Sequence, residues 1–326
     1  MKKLAAIVLF LLVATGSFIW SRLHQTYKGF DQPVFVEFTR GTSTREIAAL
    51  LESKGVIRDR WLFLAARAFR RGAKLQAGEY QFASAASPLD VFGRIQRGDI
   101  FYLELLIPEG FNMYDVAEAV GKLGTVKAAD FLAVARDPSP IRDLDPLAPS
   151  LEGYLFPNKY RIYRYMTARQ ICLMMVAEFR ERWKSLPAGA DVHRAVTLAS
   201  MVEREARLAA EQPLVASVFA NRLRIGMKLD CDPTVVYAAL AANRWTGVIH
   251  RSDLDYQSPW NTYQHAGLPP GPIANPGMGA LAAALHPAET GYLYFVARAD
   301  GSGGHNFADS LARHDANVAQ YHRAHH

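Results

Sequence analysis

At 326 residues and 50% apolar composition, the chain can fill a sizeable core and has the length of two domains at roughly 100–200 residues each. Its net charge of +6 is mild and spread out, with no Lys/Arg run of the kind that makes a nucleic-acid tail, so no nucleic-acid partner is expected. Two cysteines, Cys172 and Cys231, are too few for a disulfide scaffold, and neither has a neighbour at metal-ligand spacing. Their pairing is left open.

Lys2 and Lys3 precede an uncharged apolar run from Leu4 to Trp20, 17 residues that lie at the short end of what spans a bilayer as a helix. The run exceeds the core of a signal peptide, and no A-x-A-like cleavage site follows it. Trp20 and Arg22 make an interfacial anchor. An uncleaved transmembrane helix over 4–21 is therefore favoured over a cleaved signal. The expected arrangement puts 1–3 in the cytoplasm and nearly everything else beyond the inner membrane, with 22–32 as a linker.

The spacing then predicts a small βααβα module over about 33–99. "VFVEF" alternates as a strand does; Thr42 or Ser43 can cap the next helix, with Glu46 three residues beyond Ser43, ahead of an Ile47, Leu50, Leu51 stripe. Gly55 closes that helix. "DRWLFLAARAFRRG" is a second helix, "LQAGEYQF" a second strand, and "SPLDVFGRIQRG" a third helix with Ser87 as cap and Pro88 in its first turn. Val34, Val36, Ile47, Leu51, Phe63, Leu64, Tyr80, Phe82, Val91 and Ile95 are its expected core.

Residues 100–326 form the second expected domain, mostly helical with a few strands, which makes the overall fold class α+β. A strand, a Pro-Glu-Gly turn and a helix come first. "DPSPIRDLDPLAPSLEGYLFPNKYRI" is rich in prolines and aromatics and is expected to loop across a surface. Helices follow to about residue 243, with Cys172 in a buried stripe. "SPWNTYQHAGLPPGPIANPG" has the composition of a long ordered loop. A helix, a strand, a turn carrying His305 and a last helix complete the chain.

"LASMVEREAR" places two glutamates one residue apart. At about 100° per residue, Glu205 joins Leu198, Met201, Val202, Leu208 and Ala209 on an apolar face, whereas Glu203 falls on the opposite, wet one. A carboxyl in apolar surroundings keeps its proton toward neutral pH, as a general acid for glycosidic bonds must. The competing reading is an ion pair with Arg222 or Arg224. In the Pro/Gly-rich loop, Asn261, Thr262, Tyr263, Gln264 and Asn275 offer amides, hydroxyls and a flat ring suited to sugar hydroxyls and N-acetyl groups; the alternative is a loop that satisfies its own backbone. Asp232 reads as a helix N-cap followed by Pro233. His305, after two glycines at a turn, reads as a structural hydrogen-bonder in preference to a catalyst. Phosphate loops, dinucleotide glycine patterns, G-x-S-x-G and H-E-x-x-H are missing from the sequence.

In order, "LEGYLFPNKYRI", "LASMVEREA", "VASVFANRLRIGMKLDCDPTVVYA", "SPWNTYQHAGLPPGPIANPG", "ALHPAETGYLYFVA" and "GGHNF" resemble the motifs of the endolytic murein transglycosylases, the MltG or YceG-like family. The similarity runs from about residue 33 to 321. It implies a single-pass inner-membrane enzyme that cuts peptidoglycan glycan strands internally, with a LysM-like region at the βααβα module. The second glutamate of the family's E-x-E motif, its acid, falls on Glu205. Asn261, Tyr263, Asn275 and His305 become the expected substrate contacts. Asp230-Cys231 stands where Gln-Thr or Gln-Ser is common, and Trp260 replaces a frequent Tyr. No metal or organic cofactor is implied; peptidoglycan glycan strands and the inner membrane are the expected partners, and the glycosyltransferases of wall synthesis are a further candidate for which no residue argues. The rival functions are a non-cutting glycan-binding module and a hydrolytic muramidase.

Overall fold

The computed structural model describes residues 2–70 and 72–324, which divide into two compact units, Met1–Tyr102 and Leu103–His326. Among the described residues the architecture mixes helices with three two-stranded antiparallel sheets.

Unit 1 opens with helix α1, Lys2–His24, which is long and apolar enough to cross a membrane, with a mean hydropathy of 2.2 over its most apolar window. Its outer stretch, from Leu4 to Val13, is exposed, whereas Leu23 in its last turn is buried in the unit's core. The stretch read as a linker is not free chain. Tyr27 pairs with Ala86 through two backbone bonds of 3.1 and 3.2 Å, and Gly29 N–H donates to Gly55 O.

Strand β1 (Val34–Phe38) pairs antiparallel with β2 (Gly78–Phe82), Val36 opposite Tyr80. Between them lie α2 (Thr44–Ser53) and α3 (Arg60–Phe69), and α4 (Pro88–Arg97) follows. Ser43 and Glu46 form the reciprocal capping box at α2, and Ser87 and Asp90 form another at α4. Gly98 ends α4 at φ 73°, a left-handed cap that L residues with a Cβ resist. Of the ten expected core residues, eight are buried, and Val34 and Leu64 pack partly buried against them.

Unit 2 starts with β3 (Leu103–Ile107), α5 (Met113–Lys122) and α6 (Ala128–Ala135). The segment from Asp137 into β4 (Asn158–Ile162) does not loop over a surface as expected. β4 pairs antiparallel with β3, and Leu151, Glu152, Tyr154 and Leu155 are fully buried. Aromatic and apolar content, not the prolines, decides its place, because burying such side chains outweighs the irregular backbone they sit on.

Helices α7 (Ala168–Trp183), α8 (Val192–Glu205), α9 (Gln212–Arg224), α10 (Asp232–Ala241), the single turn α11 (Arg251–Leu254) and α12 (Met278–Leu285) follow. Residues 255–277 contain neither helix nor strand. Strands β5 (Tyr294–Ala297) and β6 (His305–Ala308) form the third sheet, and α13 (Leu311–Ala324) ends the described chain. His305 is thus the first residue of a strand rather than part of the turn. Cys172 is buried on α7, and both cysteines are free.

Candidate active site around Glu205

Helix α8 stops at Glu205 because Ala206 turns extended, φ −86° and ψ 101°. Leu208 and Ala209 therefore leave the helix and do not extend its apolar face, contrary to the projection. Glu203 is not on a wet face either. Its Oε2 accepts the N–H of Gly277, the N-cap of α12, at 3.0 Å, a placement that the positive end of a helix favours. Burial holds the Glu203 carboxyl above its ordinary value. One glutamate of the pair is therefore engaged in joining α8 to α12, and the other is left for the cleft.

Glu205 lies in a cleft of about 470 Å³ with Arg222, Asp230, Asp232, Tyr263, Tyr294, His305 and His314. That size falls within the usual range for small-molecule sites. Burial is the main cause that pushes its carboxyl up to about 7, and the neighbouring Asp232 charge adds to it. Its position on the last residue of α8, the negative end of the helix, acts in the same direction. The hydrogen bond from Cys231 Sγ to Glu205 Oε1, 3.2 Å, and the charge of Arg204 work against the rise.

The arginine pairing does not form among the described residues. The Arg222 guanidinium donates to backbone carbonyls, to Leu293 O at 2.6 Å and Leu229 O at 2.9 Å, and its nearest carboxylate is Asp230 at 3.4 Å. Arg224 points to Asn221. Arg222 is thus a tie between α9, the 228–230 turn and Leu293, the residue before β5. Glu205 keeps a carboxyl that is half-buried, undisturbed by a guanidinium pair and open to the cleft.

Two of the expected contacts line this cleft. Tyr263 donates its hydroxyl to Asp232 Oδ1 at 2.6 Å. That bond uses the carboxylate read as an N-cap: the N-cap of α10 is Cys231, and Asp232 is the first helical residue. His305 is fixed by Glu211, whose carboxylate meets its backbone N–H at 2.9 Å and its Nδ1 at 2.8 Å. His305 is part of the cleft wall.

Asn261 and Asn275 do not face the cleft, and their expected role is corrected. Both are fully buried. Asn261 Nδ2 donates to the carbonyls of Asp253, Leu254 and Tyr256, and its Oδ1 accepts from Tyr263 N–H. Asn275 Oδ1 accepts from Gly153 and Leu155 N–H, both at 2.9 Å, while its Nδ2 donates to Phe111 O and Glu152 Oε1. The backbone of irregular segments must be paired once buried, and side-chain amides do that where no helix or strand can. Gly153 is required there: its φ is 88°, and a Cβ would lie 2.5 Å from Pro272.

Sequence reasoning missed Glu211, Asp230, Tyr294 and His314. Glu211 sits in a short 3-10 turn, Ala209–Glu211, whose direction no periodicity reveals. Tyr294 contacts the Arg222 guanidinium, 5.3 Å from its ring centre, and the ring of His314, 5.1 Å away and stacked at 22°. An alternating strand pattern around Tyr294 gave no sign that α13 would cover it.

The profile of the YceG-like family matches residues 36–320, and the chain belongs to that family. The endolytic murein transglycosylase of Bacillus subtilis is 31% identical over 313 residues, 89% of this chain and 86% of its own length. The protein of the same name in Streptococcus pneumoniae D39 is 29% identical over 88% of this chain, which spans 58% of that longer relative. A yceG-like protein of Listeria monocytogenes, solved at 2.6 Å, superposes with a TM-score of 0.56 and 31% identity over 88% of this chain and 99% of its own.

Proposed function

We propose that the chain is a membrane-anchored lytic transglycosylase that cuts within peptidoglycan glycan strands, with Glu205 as both acid and base. The observation that carries the reading is the state of Glu205: a half-buried carboxyl at a cleft, pushed up to about 7 and free of an arginine partner. Relatives named endolytic murein transglycosylases support the substrate class.

Protonated Glu205 gives its proton to the oxygen that leaves toward N-acetylglucosamine. The carboxylate so formed takes the proton from the 6-hydroxyl of N-acetylmuramic acid as that oxygen closes on its own anomeric carbon. A 1,6-anhydro end results, one bond is exchanged for another, and the carboxyl is regenerated. Water need not enter, because an intramolecular hydroxyl held close replaces a base-activated water. Tyr263 and His305 are the proposed wall contacts for the sugars.

The order β1-α2-α3-β2-α4 of unit 1 supports a LysM-like, glycan-holding role. Helix α1 supports a single-pass anchor, with Lys2 and Lys3 on the cytoplasmic side and the cleft-bearing unit in the periplasm. An enzyme so tethered would end strand elongation beside the polymerases that extend the strands.

Asp230 and Asp232 in the same cleft favour one second reading, a hydrolytic muramidase with a second carboxylate. Mass spectrometry of products from purified sacculi and the full-length chain in detergent decides between them. Anhydro products, lighter by one water, are expected; reducing ends would make it a muramidase, and intact strands a binding module. The pH dependence has a definite sign. The acid form of Glu205 is lost as pH rises through about 7, so kcat/KM is expected to fall about tenfold per pH unit above that point. A flat profile to about pH 9 would contradict a single carboxyl acid with this pKa.

A further inference from the structure

Cys231 touches the acid through its thiol, and hydrogen bonds hold its backbone on both sides. It is 1% exposed and extended just before α10. Its N–H donates to Thr262 Oγ1 at 3.1 Å, and its carbonyl accepts from Thr234 Oγ1 at 2.6 Å. The two threonine hydroxyls lie 2.9 Å apart, and Thr262 N–H donates to Thr234 Oγ1 at 3.2 Å. Since the Thr234 proton goes to the Cys231 carbonyl, the Thr262 hydroxyl must donate to Thr234. Each hydroxyl proton of this small ring is then given to one acceptor, Thr234 Oγ1 accepts from both the N–H and the hydroxyl of Thr262, and all three residues are buried. Only χ1 of Cys231 stays free, and it sets Sγ 3.2 Å from Glu205 Oε1.

We propose that Cys231 is a positioning residue for Glu205, fixing one carboxyl oxygen through its thiol while the threonine ring fixes the thiol. The proposal rests on the reading of Glu205 as the acid. Thr262 belongs to the Pro/Gly-rich segment, so this part of the loop acts on the reaction through the acid rather than through the sugar. A thiol is a weak donor. It orients a carboxyl without favouring the ionised form as strongly as a hydroxyl does, which suits a group that must begin each turnover protonated.

The charged and titratable groups that face Glu205 are Arg204 on its own helix, Asp230, Asp232 and Arg222 from the α9–α10 side, Tyr263 from the loop, and Tyr294, His305 and His314 across the cleft. None changes in the variants that test the proposal. Full-length Cys231→Ala and Cys231→Ser are compared with the parent in detergent on purified glycan strands. Cys231→Ala is expected to lower kcat roughly tenfold with KM and Tm unchanged. Cys231→Ser is expected to restore most of kcat and to move the alkaline limb of the pH profile to lower pH, because its hydroxyl favours the carboxylate. If Ala unfolds the chain, Thr and Val make the same comparison at matched size, with and without a donor.

A Cys231→Ala variant with parental kcat overturns the proposal, and so does a loss that Ser fails to restore and that a lowered Tm accompanies. In either case loss of cleavage in Glu205→Gln leaves the acid assignment standing. Cleavage retained in Glu205→Gln would remove that assignment and this proposal with it.

Discussion

Glu205→Gln is expected to slow strand cleavage by about 10²–10⁴-fold or more while glycan binding persists. Glutamine keeps the shape of the side chain and its place at the end of α8, but it has no carboxyl proton to give to a leaving oxygen. The measurement is the initial rate of release of anhydro-ended fragments from sacculi, with binding followed separately by cosedimentation. Cleavage near the parental rate would remove Glu205 from the mechanism.

Folding provides an internal control on that loss, and its direction follows from linkage. The Glu205 carboxyl has an ordinary value of 4.5 and is raised to about 7 in the folded chain. Between those values the native state holds the proton that the unfolded chain has released, so stability falls as pH rises through this window. Glutamine cannot ionise and escapes that penalty. The variant should therefore melt above the parent at about pH 8 and alongside it at about pH 4. A variant that is inactive yet more heat-resistant at alkaline pH has lost chemistry, not structure.

The second large effect is on stability and concerns a residue read from the sequence as a sugar contact. Asn275→Ala is expected to destabilise unit 2 by about 3–5 kcal/mol, with Tm lower by roughly 10 °C. The amide is the shared partner of two buried N–H groups, Gly153 and Leu155, and of the buried Glu152 carboxyl. Glu152, pushed up to about 8 by burial, also accepts the N–H of Met113 at the start of α5. Alanine leaves those amides dry and unpaired, and each such group costs about 1–3 kcal/mol. Water cannot replace the amide in a site with no exposure. Calorimetry checks the prediction; an unchanged Tm with a raised KM would restore Asn275 to the cleft wall.

Local rules read the N-terminal part of this chain well. The capping boxes at Ser43 and Ser87 join residues three apart, and the stripe of Ile47 and Leu51 needs only the helical repeat. The same rules separated Glu203 from Glu205 and put Glu205 where burial raises its pKa, but they carried α8 past Ala206 and could not see α12 arrive at Glu203. The segment 137–162 was misread for a related reason: its prolines suggested a surface, while its aromatic side chains had a core waiting for them.

The amino-acid order alone carried the apolar first helix, the α+β mixture, the family motifs and the choice of Glu205, since each depends on residues close together along the chain. The folded molecule assigned the partners. It made Asn275 a strut for residues more than 100 positions away, turned Glu203 toward the cap of α12, kept Arg222 on carbonyls and set a thiol against the acid. An amide, a carboxylate or a thiol has the same donors and acceptors wherever it is written. Whether it meets a sugar, a carbonyl or another acid is decided by what long-range packing brings within about 3 Å of it.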